Sequence, residues 1–200
     1  PRKKQSYINP PPFTEDEVYP AEPESSYGWS KLMGEYEAEL SQTETRLDVG
    51  ILRLHNVYGT PCELDSGKSQ VIPALCRKAV MSPEEEFVVW GSGNQRRAFV
   101  HVSDVVDALE LVLQKGMNKG AIQIGPSESV SIKEIANQII KISNKSIKVR
   151  YDIDRPEGDM DRAANWEKAR KVLGWSQKIM MRDGLEDTYA WVTRKLADVK

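Results

Sequence analysis

Tyr27 and Lys31 stand four residues apart in "SSYGWSKLMGEYEAEL", residues 25–40. On an α-helix that spacing puts both side chains on one face, one turn apart. An ammonium beside a phenol favours the phenolate, so such a pair could exchange a proton with a hydroxyl near neutral pH. Ordinary surface helices carry the same spacing, and the pair alone does not separate the two readings. Other polar residues fall where ligands collect. Asn56 ends the apolar run "VGILRLHN", at the carboxyl end of what reads as a strand, where open α/β sheets bind their ligands. Gln95, Arg96 and Arg97 follow a Gly-Ser-Gly turn, and Arg162 closes the loop "RPEGDMDR". Guanidinium forks of this kind match the oxygens of a phosphate. Lys78 fits a ligand contact or a solvated helix face, and His55 fits a ligand contact or a packed ring.

The elements that must hold these residues follow from periodicity and punctuation. Residues 1–24, with "NPPPFTEDEVYPAEPE", read as an irregular surface loop. Helices are expected over 26–43, over "QVIPALCRKAV" with Pro73 in its first turn, and over "DVVDALELVLQKG" between Asp104 and Gly116. "SVSIKEIANQIIKIS" places Ser131 and Glu134 at capping-box spacing, with Ile132, Ile135, Ile139 and Ile140 on one face. "NWEKARKVLGW", stopped by Gly174, and "MRDGLEDTYAWVTRKLADV" complete the helices. Strands are expected in 49–59, in "GAIQIG" and in "IKVRYD", and "EFVVWGSGNQRRAFVHVS" reads as two strands around a Gly-rich turn. Strands and helices alternate, which makes the class α/β.

Composition narrows the function. The 200 residues carry a net charge of −2 with a pI near 5.9, so no basic field points to nucleic acid or an anionic membrane. No apolar stretch approaches the roughly 20 residues of a bilayer span. Cys62 and Cys76 are too few for a disulfide scaffold, and no Cys/His spacing reads as zinc. No signal-peptide core precedes them, so a reducing cytoplasm is the expected setting. The chain opens on "PRKKQSYINPPPF" without Met, which reads as the interior of a longer protein.

Four segments in order carry a resemblance: "PAEPESSYGWSKLMGE", "LRLHNVYG", "VVWGSGNQRRAFVHVSDVVDAL" and "RPEGDMDR". Over residues 11–192 they resemble the second half of an extended short-chain dehydrogenase/reductase of the nucleotide-sugar epimerase/dehydratase family. Within it, "LCRKA" and "WGSGNQRRAF" are similar to the GDP-mannose 3,5-epimerase branch, and "SQVIPALCRK" to the GDP-L-fucose synthase branch. The resemblance implies the C-terminal part of a Rossmann-like parallel sheet plus a smaller α/β substrate-binding domain. Residues 1–60 would be the remainder of the dinucleotide-binding domain, its N-terminal part missing. Residues 61–200 would mainly bind the nucleotide-sugar, with 98–125 returning to the Rossmann sheet.

The same resemblance makes Tyr27 the acid/base group and Lys31 the ligand of the nicotinamide ribose. Leu54, His55 and Val57 would line the nicotinamide side, with no proton-transfer role for His55. Asn56, Lys78, Gln95, Arg96, Arg97 and Arg162 would hold a nucleotide-sugar, GDP-linked by the branch likeness. The implied cofactor is NAD, or NADP, since the acidic residue that reads the ribose would lie upstream. A homodimer is implied through helix 26–43, whose Leu32, Met33, Tyr36 and Leu40 are apolar.

The sequence departs from the family pattern twice. A dinucleotide site needs a G-x-x-G-x-x-G turn opening a helix, and the Gly-Ser-Gly at 91–93 lacks that context. An isolated chain is therefore expected to bind dinucleotide weakly and to aggregate through uncovered sheet edges. The 3,5-epimerase branch also places a lysine where Gln70 stands here, leaving Lys68, two residues earlier, as the candidate second acid/base group. Without it the chemistry would be a simpler 4-epimerisation or dehydration. Three readings stay open: transient oxidation of a nucleotide-sugar by an epimerase/dehydratase, net reduction by NADPH, and a non-catalytic sugar-nucleotide-binding fragment. The Tyr27/Lys31 pair argues against the last.

Overall fold

A computed structural model describes residues 9–23, 25–65, 67–155 and 157–198. Residues 1–8 and Glu24 of the opening loop, Ser66, Pro156 of "RPEGDMDR" and the last two residues lie outside that description. The described part of the opening loop is not wholly irregular. It carries a 3₁₀ turn at Glu15–Val18, and Glu15 is buried with its carboxylate accepting the Gln123 N–H at 2.8 Å.

Helix α1 (Ser26–Glu44) starts where Ser25 caps the Gly28 N–H, and it buries no residue at all. Its tie to the sheet is Glu35, which grips Arg53 through Nε at 2.9 Å and Nη2 at 2.8 Å. Strands β1 (Ile51–Leu54) and β2 (Asn56–Tyr58) are one extended run that changes partner at its middle. β1 pairs in parallel with β6 (Ala121–Ile124), whereas β2 pairs in parallel with β5 (Phe99–His101). His55 N still donates to Ile124 O, and the next amide, Asn56 N, donates to Ala98 O. The two ladders part between those residues, which opens a crevice at the carboxyl end of β1.

Helix α2 (Val71–Met81) follows, with Pro73 in its first turn as expected. The stretch read as two strands forms three: β3 (Val88–Trp90), β4 (Arg96–Arg97) and β5. Each joins a different ladder. β3 pairs with β8 (Arg150–Asp152), and β4 lies between β7 (Val130–Ser131) and β9 (Asp161–Arg162). Gly91 and Gly93, both at positive φ (72° and 77°), make the turn that sends β3 and β4 to separate neighbours. β8 begins only at Arg150; Ile147 and Val149 pack against the core outside the ladder. Helix α3 (Val102–Leu111) runs on through a π-helical turn to Gly116. Helix α4 (Ile132–Ser143) has the capping box that Ser131 and Glu134 announced. A π-helical turn at Ala169–Leu173 is ended by Gly174 in the left-handed region, and α5 (Met181–Ala197) closes the chain.

Two cores form. Ile72, Leu75, Cys76, Ile135, Ile139, Leu185 and Val192 join α2, α4 and α5 over Phe87 and Val89. Val100, Val105, Ala108, Ile122, Ile124, Leu173 and Trp175 join α3 to β5 and β6. Asp104, 1% exposed, links the second core to the approach of α5: its carboxylate accepts from Lys178 N (3.0 Å) and Ile179 N (3.1 Å). Gly184 lets α5 lie directly on β2, since a Cβ there would sit 2.2 Å from Tyr58 Oη. No helix among the described residues is long and apolar enough to cross a membrane.

The two thiols differ in reach. Burial pushes the Cys76 thiol up to about 12, and Cys62 is only partly buried. Iodoacetamide at mildly alkaline pH is expected to label Cys62 in the folded chain and Cys76 only after unfolding, as peptide mass spectrometry would show. Equal labelling of both thiols would mean that α2 opens readily.

Candidate active site

Three cavities adjoin at the carboxyl ends of β1 and β2. The first, about 350 Å³, is bordered by Asn56, Lys78, Trp90, Gln95, Arg97 and Glu157 among others. Asn56 also borders the third cavity, and Gln70, Val71 and Phe99 also border the second. The partner change at His55 and Asn56 thus places one side chain on the wall between two cavities.

The first cavity gathers cations and hydrogen-bond donors beside the Glu157 carboxylate. Lys78 Nζ is half-buried and donates to Val88 O at 2.7 Å; burial lowers its pKa. Arg97 donates to Asp159 O at 2.6 Å, to Arg96 O at 2.7 Å and to Glu157 O, holding the 157–159 loop by its carbonyls. Burial also lowers the Arg97 pKa, but a guanidinium stays charged. Among the described residues neither cation has a carboxylate within ion-pair distance. Gln95 is 7% exposed; its Nε2 donates to Trp90 O at 3.1 Å, while Oε1 is buried without a partner. Trp90 presents an exposed ring under the Arg155 guanidinium, 5.1 Å from the ring centre. The Glu157 carboxylate accepts the Ser92 N–H of the Gly-Ser-Gly turn.

Arg96 is turned the other way. Successive residues of a strand face opposite sides, and Arg96 lines none of the three cavities. It donates to Ser129 Oγ and Ser129 O and pairs with Glu134 at 3.2 Å. Leu54, His55, Asn56 and Arg162 do come together, around the third cavity of about 310 Å³, with Phe13, Glu17 and Gln123. Arg162 pairs with Asp159. Burial and the Arg162 charge push the His55 pKa down, and its Nε2 lies 3.3 Å from Gln123 Oε1. Val57 and Lys68 border the second cavity, and of Lys68 and Gln70 only Gln70 also reaches the first.

Tyr27 and Lys31 are side by side, with Nζ 5.3 Å from the centre of the phenol ring. They border none of these cavities, and Tyr27 is 70% exposed. Lys31 and Glu35 share a helix face by their spacing, and Glu35 holds Arg53, which borders the third cavity. Tyr27 and Lys31 are themselves exposed, and the partly buried line of the helix runs through Gly28, Leu32, Glu35 and Ala38.

A model of the "NAD dependent epimerase/dehydratase family" matches residues 5–125, more than half of the chain. The chain belongs to that family. Among curated relatives in the epimerase/dehydratase group, GDP-mannose 3,5-epimerase of Arabidopsis thaliana is 30% identical over 93% of this chain and 48% of its own length. GDP-L-fucose synthase 1 of the same plant is 32% identical over 72% of this chain and 45% of its own. The chain spans about half the length of the curated relatives it matches. UDP-glucuronic acid 4-epimerase from Bacillus cereus, solved with UDP-glucuronic acid and NAD, superposes with a TM-score of 0.82 at 26% identity, covering 96% of this chain and 59% of that one. A GDP-6-OMe-4-keto-L-xylo-heptose reductase from C. jejuni gives 0.85 at 26% identity over 96% of this chain and 68% of its own. These matches bear out the α/β, Rossmann-like architecture expected from the sequence.

Several residues of the site escaped the sequence, three of them prominent. Trp90 and Glu157 border the first cavity and Gln123 the third. Gln123 did leave a signal: a polar side chain inside "GAIQIG", a strand whose four residues are all buried.

Proposed function

We propose that the chain handles the sugar nucleotide in an epimerase or dehydratase that oxidises a GDP-linked sugar transiently. The observation that supports this most is the first cavity, which Lys78 and Arg97, two cations without carboxylate partners among the described residues, border together with Gln95 and Trp90. A diphosphate would meet the cations. GDP is preferred over UDP because relatives named for GDP-linked sugars share 30% and 32% identity.

NAD or NADP fits this chain at one end only. Phe13, Val18 and the exposed Leu54 give the third cavity an apolar wall for a flat ring, beside the polar Asn56. No Gly-rich turn opens a helix in the 200 residues, so these residues alone do not hold a pyrophosphate tightly. The bound cofactor would supply hydride acceptance. Tyr27 would hold the hydroxyl proton, with the Lys31 ammonium 5.3 Å from the centre of its ring. Lys68 borders the second cavity without reaching the first, and Gln70 is not an acid/base group. That supports redox chemistry at one carbon over proton exchange at two.

A reductase is the second reading, favoured by the likeness to the heptose reductase. Stoichiometric NADPH consumption would separate it from an epimerase. Titration of GDP-mannose into the chain tests the main reading. Saturable binding is expected, with Lys78→Met lowering affinity at least about tenfold, roughly 1.4 kcal/mol. The same variant trades one ammonium–carbonyl bond for relief of a half-buried charge, so its melting midpoint should move by less than about 3 °C. Absence of binding by any nucleoside diphosphate sugar would overturn the proposal.

A further inference from the structure

His55 holds more information than its place on the cavity wall. Gln123 is 6% exposed, and its Nε2 donates to Phe13 O at 2.7 Å while its backbone N donates to Glu15 Oε1 at 2.8 Å. The bond to Phe13 O fixes which end of the side-chain amide is nitrogen, and the oxygen at the other end is the atom 3.3 Å from His55 Nε2. An acceptor there requires Nε2 to carry the hydrogen. Burial first, and the nearby Arg162 charge, push the His55 pKa down against the opposing pull of the Gln123 bond, and in the neutral ring with hydrogen on Nε2 the Nδ1 bears a lone pair. Gly125 packs on the opposite edge: a Cβ there would lie 2.8 Å from His55 Cβ and 3.3 Å from Cδ2. No group among the described residues bonds Nδ1, and it is not among the buried orphan atoms.

The cavity that His55 borders has an apolar wall of Phe13, Val18 and Leu54 and an amide donor in Asn56. Its charged neighbours are Glu17 from the opening segment, Arg53 from β1 and Arg162 from β9, with Glu15 behind Gln123. A flat ring bearing a primary amide matches this set. Its N–H₂ would donate to Nδ1, and its carbonyl could accept from Asn56. A ring carboxylate has no hydrogen to give and would meet a lone pair.

We propose that His55, locked by Gln123 as the Nε2–H tautomer, is the positioning residue that accepts the carboxamide N–H of a nicotinamide ring and discriminates against its acid. The proposal rests on the reading that the third cavity takes the nicotinamide end of the cofactor. Nitrogen-15 imidazole shifts of the labelled chain test it without turnover. Near neutral pH a single Nε2–H tautomer is expected. Millimolar nicotinamide should move the Nδ1 resonance, and nicotinic acid at equal concentration should not. Gln123→Met should release the tautomer preference and, with it, the amide selectivity. A protonated ring, an Nδ1–H tautomer or equal responses to amide and acid would overturn the assignment, and the wild-type readings suffice if the variant does not fold. GDP-mannose binding is scored separately, so binding of that sugar with no amide response sinks this proposal and spares the broader reading.

Discussion

Replacing Tyr27 with Phe is expected to lower turnover of a nucleotide-sugar by about 10²–10⁴-fold, the usual worth of a positioned acid/base group. Affinity for the substrate should stay within about twofold, because the variant leaves untouched the cations of the first cavity. Stability should not change either. Tyr27 is 70% exposed on a helix that buries nothing, so its hydroxyl contributes no core contact. A preparation that turns over substrate provides kcat, Kd and melting midpoint together. A kcat that survives the substitution would remove Tyr27 from the chemistry, and the proposed mechanism with it.

Asp104→Ala should have the largest effect on stability. Its carboxylate receives the N–H groups of Lys178 and Ile179, and its own carbonyl receives Trp175 Nε1 at 2.8 Å. Alanine keeps the carbonyl but leaves two backbone donors without an acceptor at a site 1% exposed. Each such orphan costs about 1–3 kcal/mol, giving a loss of about 3 kcal/mol. For a chain of this size that is a fall of about 6–12 °C in melting midpoint. Asp104→Asn retains one acceptor and should fall between the two. A shift under about 2 °C for the alanine variant would show that the segment before α5 finds other partners.

What the sequence disclosed and what it withheld divide by range. The capping box of Ser131 and Glu134 and the isoleucine face behind it are set by neighbours three and four residues away, so α4 was legible. So was the stop at Gly174. The split of 51–58 was not, because the partners of β1 and β2 lie at Ala121–Ile124 and Phe99–His101. Nothing in "ILRLHNVY" encodes which distant strand each half will meet. The same holds for Arg96 and Arg97. Alternation says that they face opposite sides, but only the neighbours β7 and β9 decide which side is the cavity. Helical spacing announced the closeness of Tyr27 and Lys31. Their distance from the cations of the first cavity depends on how α1 docks, and that rests on one ion pair rather than on an apolar stripe.

The divided run 51–58 has a consequence for how such a molecule can change. Its first half answers to Ile122 and Ile124, in one core, while at its second half Tyr58 and the neighbouring Phe99 belong to the other. A drift in one set shifts His55 and leaves the wall beside Gln95 in place; a drift in the other does the reverse. Paired conservative substitutions, one from each set, should therefore have additive effects on binding within about 0.5 kcal/mol. A lineage could then acquire a new sugar on one side while keeping an old coenzyme on the other.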